Sequence, residues 1–140
     1  MNIDSIRNGY VLDHIKAGKA MEIYDYLSLD KLDCTVAIIK NVKSNKMGRK
    51  DIIKIDETID INTDILGFIA PDITINKIKD DIIIEKGRPP LPKRMKNIIN
   101  CKNPRCITTT EPGLDQVFVL TDEEGRKYSC IYCDSERGER

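Results

Sequence analysis

Apolar residues in this chain come in short runs, broken by glycine, proline and small polar clusters. The first run, residues 9–15 (Gly-Tyr-Val-Leu-Asp-His-Ile), is bounded by Gly9 and Gly18 and reads as a strand. From 19 to 27 the spacing changes. Ala20, Ile23, Tyr24 and Leu27 recur at helical intervals, so an amphipathic helix is expected. Residues 34–42, with Val36, Ala37, Ile38 and Ile39, read as a second strand. The turn-forming segment 44–48 folds it into a hairpin with a third strand at 51–55. A short helix is expected at 62–68, ended by Ala70-Pro71 because a residue before proline avoids the helical region. Apolar strands at 72–78 and 82–85 follow, joined by the polar connection Lys79-Asp80-Asp81. This order, strand-helix-strand-strand-helix-strand and one further strand, predicts an α+β fold: a ferredoxin-like antiparallel sheet with two helices on one face.

The periodicity then stops. Residues 87–93 (Gly-Arg-Pro-Pro-Leu-Pro-Lys) read as an extended linker, so the expected boundary separates a domain at 1–90 from one at 91–140. The second segment is too short for a large hydrophobic core, and modules of that size need a staple. Cysteines supply a candidate. Cys101 and Cys106 form a Cys-x4-Cys pair, and Cys130 and Cys133 form a Cys-x2-Cys pair. Two close pairs separated by a folding segment suit a tetrahedral metal, and thiolates suit Zn²⁺. Four thiolates leave no position for a substrate, so one structural Zn²⁺ in a small β-rich domain is expected, with strands at 117–120 and 128–132 around it. Two disulfides or four unrelated cysteines are the alternatives. The charged tail, residues 135–140, is expected to be disordered.

Composition narrows the function. Lys plus Arg and Asp plus Glu both number 23, so the net charge of zero gives no whole-chain case for nucleic acid or an anionic membrane. No apolar run is long enough to span a bilayer. Residues 1–6 do not read as a signal peptide, which points to a reducing cytoplasm where thiols bind metals. The fifth cysteine, Cys34, is expected to be a buried small hydrophobe.

Catalytic signals are sparse. His14 is the single histidine, and the chain carries no phosphate-loop or dinucleotide motif. Asp13-His14 at a strand end is open to a binding role or to a satisfied polar pair. Along 49–55, alternation puts Ile53 and Ile55 on one face and Lys50 and Lys54 on the other. Two ammonium groups about 13 Å apart can converge on a polyphosphate, or can simply form a solvated face. Lys86 follows the last strand and can approach the same sheet. Asn76 is a polar residue in an apolar strand, suited to reading a base edge or to satisfying backbone.

These residues resemble a known family, the regulatory chain of aspartate carbamoyltransferase. The resemblance rests on Val-Leu-Asp-His-Ile at 11–15, Met-Gly-Arg-Lys-Asp-Ile-Ile-Lys-Ile at 47–55, Ala70-Pro71 with Thr-Ile-Asn-Lys-Ile at 74–78, Lys-Gly-Arg-Pro-Pro-Leu-Pro at 86–92, and the cysteine spacing with Asn-Pro-Arg-Cys-Ile at 103–107. It implies a non-catalytic subunit. An N-terminal allosteric domain would bind ATP as activator and CTP, with UTP, as inhibitor. A C-terminal zinc domain would grip the catalytic chain, with two catalytic trimers joined by three regulatory homodimers. Carried over by position, the resemblance places Asp13, His14, Lys50, Lys54 and Lys86 at the nucleotide. Ile6, Asn76, Ile78 and Ile83 fall around its pocket or a second metal–nucleotide site. Asp81 stands where the family often has a tyrosine contacting the base through its main chain. Three rival readings stay open: a zinc ribbon binding nucleic acid through Lys102, Arg105, Arg126 and Lys127, a rubredoxin-like iron carrier, and, last in rank, an independent enzyme.

Overall fold

The computed structural model describes residues 6–138. The chain divides into two compact units between Pro89 and Pro90. The first unit runs β1 (Gly9–Lys16), α1 (Ala20–Tyr26), a 3-10 turn (Leu29–Lys31), β2 (Val36–Ser44), β3 (Gly48–Ile55), α2 (Thr63–Ile69), β4 (Thr74–Lys79) and β5 (Ile82–Gly87). Its strands form one antiparallel sheet in the order β2-β3-β1-β4-β5. That is the expected ferredoxin-like order with β5 added at one edge.

One sheet face carries the core. Leu12, Ile15, Ile53 and Ile55 are fully buried, as are Ala20 and Ile23 of α1 and Leu66 of α2. Asn62 starts α2 by accepting hydrogen bonds from the backbone N–H groups of Asp64 and Ile65 at 3.1 and 3.2 Å. Gly9 is required where β1 begins, because a Cβ there would stand 2.0 Å from the Ile55 carbonyl oxygen. The β4–β5 turn uses Asp80 and Asp81, both at positive φ, the geometry of a tight hairpin. Its amides bond back to the N-terminal segment: Asp80 N–H to Asn8 Oδ1 and Asp81 N–H to the Arg7 carbonyl.

Asp51 is a buried carboxyl group in this unit that periodicity alone does not reveal. It lies on the core side of β3 and is fully buried. Its carboxylate accepts the N–H groups of Gly18 (3.0 Å), Ala20 (3.2 Å) and Asn41 (2.8 Å). It therefore fixes the start of α1 and the bulge in β2, where Asn41 adopts positive φ.

The second unit is a four-stranded sheet, β6 (Arg94–Lys96), β7 (Val117–Asp122), β8 (Lys127–Cys130) and β9 (Glu136–Gly138), with a one-turn helix α3 (Ile107–Thr110). Met95, Ile99, Phe118 and Tyr128 form its small core. The Tyr128 hydroxyl donates to the Pro92 carbonyl at 2.6 Å, tying the linker to β8.

Three expectations need correction. Cys34 is half-buried and sits in the bend before β2, with the Glu57 carboxylate among the groups acting on its thiol. The tail is not wholly without structure, because Glu136–Gly138 pairs with β8 and the Arg137 guanidinium donates to the Asn100 carbonyl at 2.7 Å. The strand expected at 128–132 ends at Cys130 and gives way to a turn. Residues 1–5, on which the signal-peptide reading falls, and residues 139–140 lie outside the described residues.

Candidate metal centre and open sheet face

The four cysteines converge. Cys106 begins α3, Cys130 ends β8, and Cys133 lies in the turn beyond it. The sulfurs of Cys101 and Cys133 are 3.5 Å apart, and those of Cys106 and Cys130 are 3.7 Å apart. All four fall within 4.8 Å of one another. These separations are far longer than a disulfide bond of about 2.05 Å. They are close to the edge of a tetrahedron with metal–sulfur bonds of about 2.3 Å, which is about 3.8 Å. The donor set therefore fits one tetrahedral metal ion with no coordination position left over.

Surrounding groups prepare the sulfurs for negative charge. Backbone N–H groups of Tyr132 and Cys133 face Cys130, and that of Asn103 faces Cys101. Thr108 Oγ1 is 3.0 Å from the Cys106 sulfur, and Ser135 Oγ is 3.2 Å from that of Cys133. Without a metal, burial pushes the Cys101 thiol up to about 12 and raises that of Cys130. The Ser135 side chain and N–H draw Cys133 down to about 6. One thiolate forms readily while buried neighbours resist, so a divalent cation supplies the missing positive charge and displaces protons as it binds.

Gln116 was not read from the sequence, since an isolated glutamine before a strand gives no pattern. Its Oε1 accepts the Cys101 N–H at 2.9 Å and its Nε2 donates to the Thr108 carbonyl at 3.4 Å. Its own backbone pairs with Asn97, whose Oδ1 accepts the Gln116 N–H at 2.8 Å. It thus anchors the Cys101–Cys106 loop to the sheet. We expect Gln116→Ala to weaken metal affinity by about tenfold, in the range for residues behind metal ligands. Competition with a chromophoric chelator would measure this, and an unchanged affinity would remove Gln116 from the centre.

In the first unit, the sheet face opposite the core gathers most of the other candidate residues. Lys54 pairs with Val11, Val11 with Asn76, and Asn76 with Lys86. Lys54, Asn76 and Lys86 therefore lie in one row across β3, β1, β4 and β5, with neighbouring strands about 4.8 Å apart. Ile78 pairs with Ile83 one step away, and β5 carries an irregularity between them and the row, which lets Ile83 and Lys86 share a face. Ile6 is buried just before the segment that binds the β4–β5 turn.

A bulge in β1 adds Asp13 and His14. The register shifts between Leu12 and Ile15, and His14 adopts a φ of 58°. Leu12 and Ile15 both remain in the core, so the extra residue keeps both Asp13 and His14 out of it. Asp13 pairs with the Lys50 ammonium at 2.9 Å, and the His14 ring nitrogen Nδ1 lies 3.0 Å from Thr74 Oγ1. Asn76 Nδ2 donates to the Val11 carbonyl at 3.2 Å, so part of its amide serves the backbone. Asp81 donates its N–H to the Arg7 carbonyl at 3.0 Å.

Burial raises the Asp13 carboxyl, but the Lys50 hydrogen bond, the His14 N–H and the nearby positive charge outweigh it, so its pKa falls below the ordinary value. A lowered folded-state pKa stabilises the fold above the unfolded value of about 3.9. That contribution fades as pH falls through the folded value. Asp13→Asn should therefore flatten the acid limb of stability below about pH 4, a change that thermal melts across pH 2–6 would read. An unchanged acid limb would show that the pair carries no linkage.

The fold and the sites define a two-part chain, a ferredoxin-like α+β domain followed by a tetrathiolate metal-binding module. Comparison with known proteins makes this specific. The family described as aspartate carbamoyltransferase regulatory chain, allosteric domain, matches residues 1–89, and the metal binding domain of the same regulatory chain matches residues 93–140. The regulatory chain of Clostridium tetani (strain Massachusetts / E88) is 50% identical over 135 residues, covering 96% of this chain and 94% of that protein. The regulatory chain of Clostridium botulinum (strain Hall) is 49% identical over 134 residues, covering 96% and 92%. That of Bifidobacterium longum (strain NCC 2705) is 43% identical over 136 residues, covering 97% and 98%. The chain belongs to the family of aspartate carbamoyltransferase regulatory chains. It is a non-catalytic subunit, and this assignment weighs against a free-standing nucleic-acid ribbon or iron carrier.

Proposed function

We propose that this chain binds nucleoside triphosphates on the open face of its first domain and transmits their effect to catalytic chains through its second. ATP, CTP and UTP are the expected effectors, acting in pyrimidine biosynthesis. The row of Lys54, Asn76 and Lys86 beside the Asp13–Lys50 pair carries the reading. Cations at separated points of one sheet face suit phosphates, while a carboxylate and an amide suit ribose and base. His14 borders this face, and Ile6, Ile78 and Ile83 supply apolar surface at its β4–β5 end. Residues 1–90 would be the sensor, and residues 91–140 the module that docks on catalytic trimers.

Zn²⁺ is the proposed ion at Cys101, Cys106, Cys130 and Cys133, because a closed four-thiolate site matches its structural chemistry. It would hold the docking surface in shape. Two trimers linked through regulatory homodimers in the cytoplasm complete the proposed assembly. Among the described residues no helix is long and apolar enough to cross a membrane.

The test mixes the chain with the matching catalytic trimer, with and without chelator, and measures particle size and CTP sensitivity together. The reading requires a large, CTP-sensitive particle that falls apart when metal is removed. A particle that ignores every nucleotide would overturn the effector assignment, and one indifferent to chelator would overturn the zinc assignment.

A further inference from the structure

The chain is neutral as a whole but its charge is segregated. From Lys40 to Lys50 there are five cations, Lys40, Lys43, Lys46, Arg49 and Lys50, and no carboxylate. The next 22 residues, 51–72, hold six carboxylates and one cation. The basic stretch is the tip of the β2–β3 hairpin, and four of its cations are exposed, Lys50 being half-buried. Lys43 and Arg49 are directly opposed across the ladder. Like charges in that position destabilise a hairpin. Among the described residues Lys40, Lys43, Lys46 and Arg49 form no ion pair, and Lys50 alone reaches a carboxylate, Asp13. Such a tip is suited to holding an anion that is not part of the chain.

We propose that this hairpin is a phosphate-counting arm of the effector face, drawing in the polyphosphate end of the ligand and making affinity rise with the number of phosphates. The inference rests on the nucleotide reading given above. Lys50 connects the two regions, because it sits at the base of the hairpin and on the same face as Lys54. Arg49 and its partner Lys43 alternate to the side of the hairpin away from Lys50. Successive strand residues are about 3.3 Å apart, however, so both begin within a Debye length of about 8 Å from Lys50 at physiological salt and act on a bound anion through their field rather than by contact. A triphosphate carries about twice the charge of a monophosphate, so the arm favours it through charge alone, without reading base or sugar.

The experiment uses the metal-loaded full chain and the variant Lys40→Gln/Lys43→Gln/Lys46→Gln, which leaves Arg49 and Lys50 in place. Binding of ATP, ADP, AMP and inorganic tripolyphosphate is measured by calorimetry from low to physiological salt. The expected variant loses about tenfold in ATP and tripolyphosphate affinity at low salt, from summed screened Coulomb attraction. It loses only about threefold for AMP, and its affinities depend less steeply on salt. Its melting temperature without ligand should equal or exceed that of the parent, because like-charge repulsion is removed. Lys46→Gln alone, at the exposed tip, provides a milder version. Equal losses for AMP and ATP, or an unchanged salt dependence, would overturn the arm. So would a variant that keeps triphosphate affinity but loses binding to an acidic protein or RNA. If the parent binds tripolyphosphate but does not prefer nucleotides to it, the nucleotide reading fails and the basic arm stands.

Discussion

Cys106→Ser is expected to abolish tight metal binding and to leave the second unit unfolded. The sulfur of Cys106 is buried and stands 3.7 Å from that of Cys130. A serine hydroxyl in its place is a weak ligand that does not ionise at neutral pH, so three thiolates would share the ion. Structural zinc contributes about 10–16 kcal/mol in small zinc modules, where binding and folding are one process. Few residues remain to compensate. Met95, Phe118 and Tyr128 are the large core side chains, and two of the three strand pairings hang on segments of three residues, Arg94–Lys96 and Glu136–Gly138. Loss of even a third of the metal contribution exceeds what such a core supplies. Metal content by atomic emission, together with amide exchange in residues 90–138, checks the prediction. The first unit should keep its protection, because its sheet and core are separate. A mutant that still joins catalytic trimers without metal would sink the structural role of the centre.

The parts of this fold that were legible in the sequence are those that bury a regular face. The first unit gave its element order because β1, β3 and β4 alternate or run apolar and are punctuated by Gly9, Gly18, Ala70-Pro71 and Asp80-Asp81. Alternation also put Lys50 and Lys54 opposite Ile53 and Ile55, as the burial of β3 bears out. β6 and β9 were illegible because each has three residues and, between them, one buried apolar side chain is recorded, Met95. They exist through backbone pairing to longer neighbours and through single bonds such as Arg137 to Asn100. Asp51 looked like a polar start to a strand, yet it sits inside β3, because three backbone N–H groups from other elements neutralise its burial. Bulges escape periodicity by nature. Without the one in β1, strict alternation from the buried Leu12 would send His14 into the core and Ile15 out of it. For the cysteines, spacing sufficed to expect a cluster, but the groups that tune it, Gln116 and Ser135, are recognisable only from the folded chain.

The two units are built for different tasks. The second has little freedom, since its sulfurs, Gln116 and Tyr128 fix one arrangement. The first keeps charged groups on a face that its core does not need, so substitutions there can alter ligand affinity at little cost to folding. An effector can shift an equilibrium only through a difference in its affinity for two states of the assembly. On the proposed reading, contacts at Asp13, Lys54 and Lys86 would set that difference. Typical coupling of about 1–3 kcal/mol would move half-saturation of the catalytic chains several-fold.

Lys54→Ala should therefore remove most of the nucleotide response while the complex still assembles. Lys54 is half-buried on the open face, and its backbone neighbours are Val11 on one side and Ala37 on the other. Neither can replace its charge, and among the described residues no carboxylate pairs with it. Its deletion leaves the core residues Ile53 and Ile55 untouched, so folding should change by less than about 0.5 kcal/mol. A charged hydrogen bond to phosphate or base contributes about 1.5–3 kcal/mol, so nucleotide affinity should fall by roughly 10- to 100-fold by the same estimate. Lys50 will not compensate, because Asp13 already holds its ammonium at 2.9 Å. CTP titrations of the reconstituted complex, run beside size-exclusion chromatography, separate the two properties. Equal inhibition in mutant and parent would show that the effector binds away from this row. Dissociation of the mutant complex would show instead that Lys54 supports assembly.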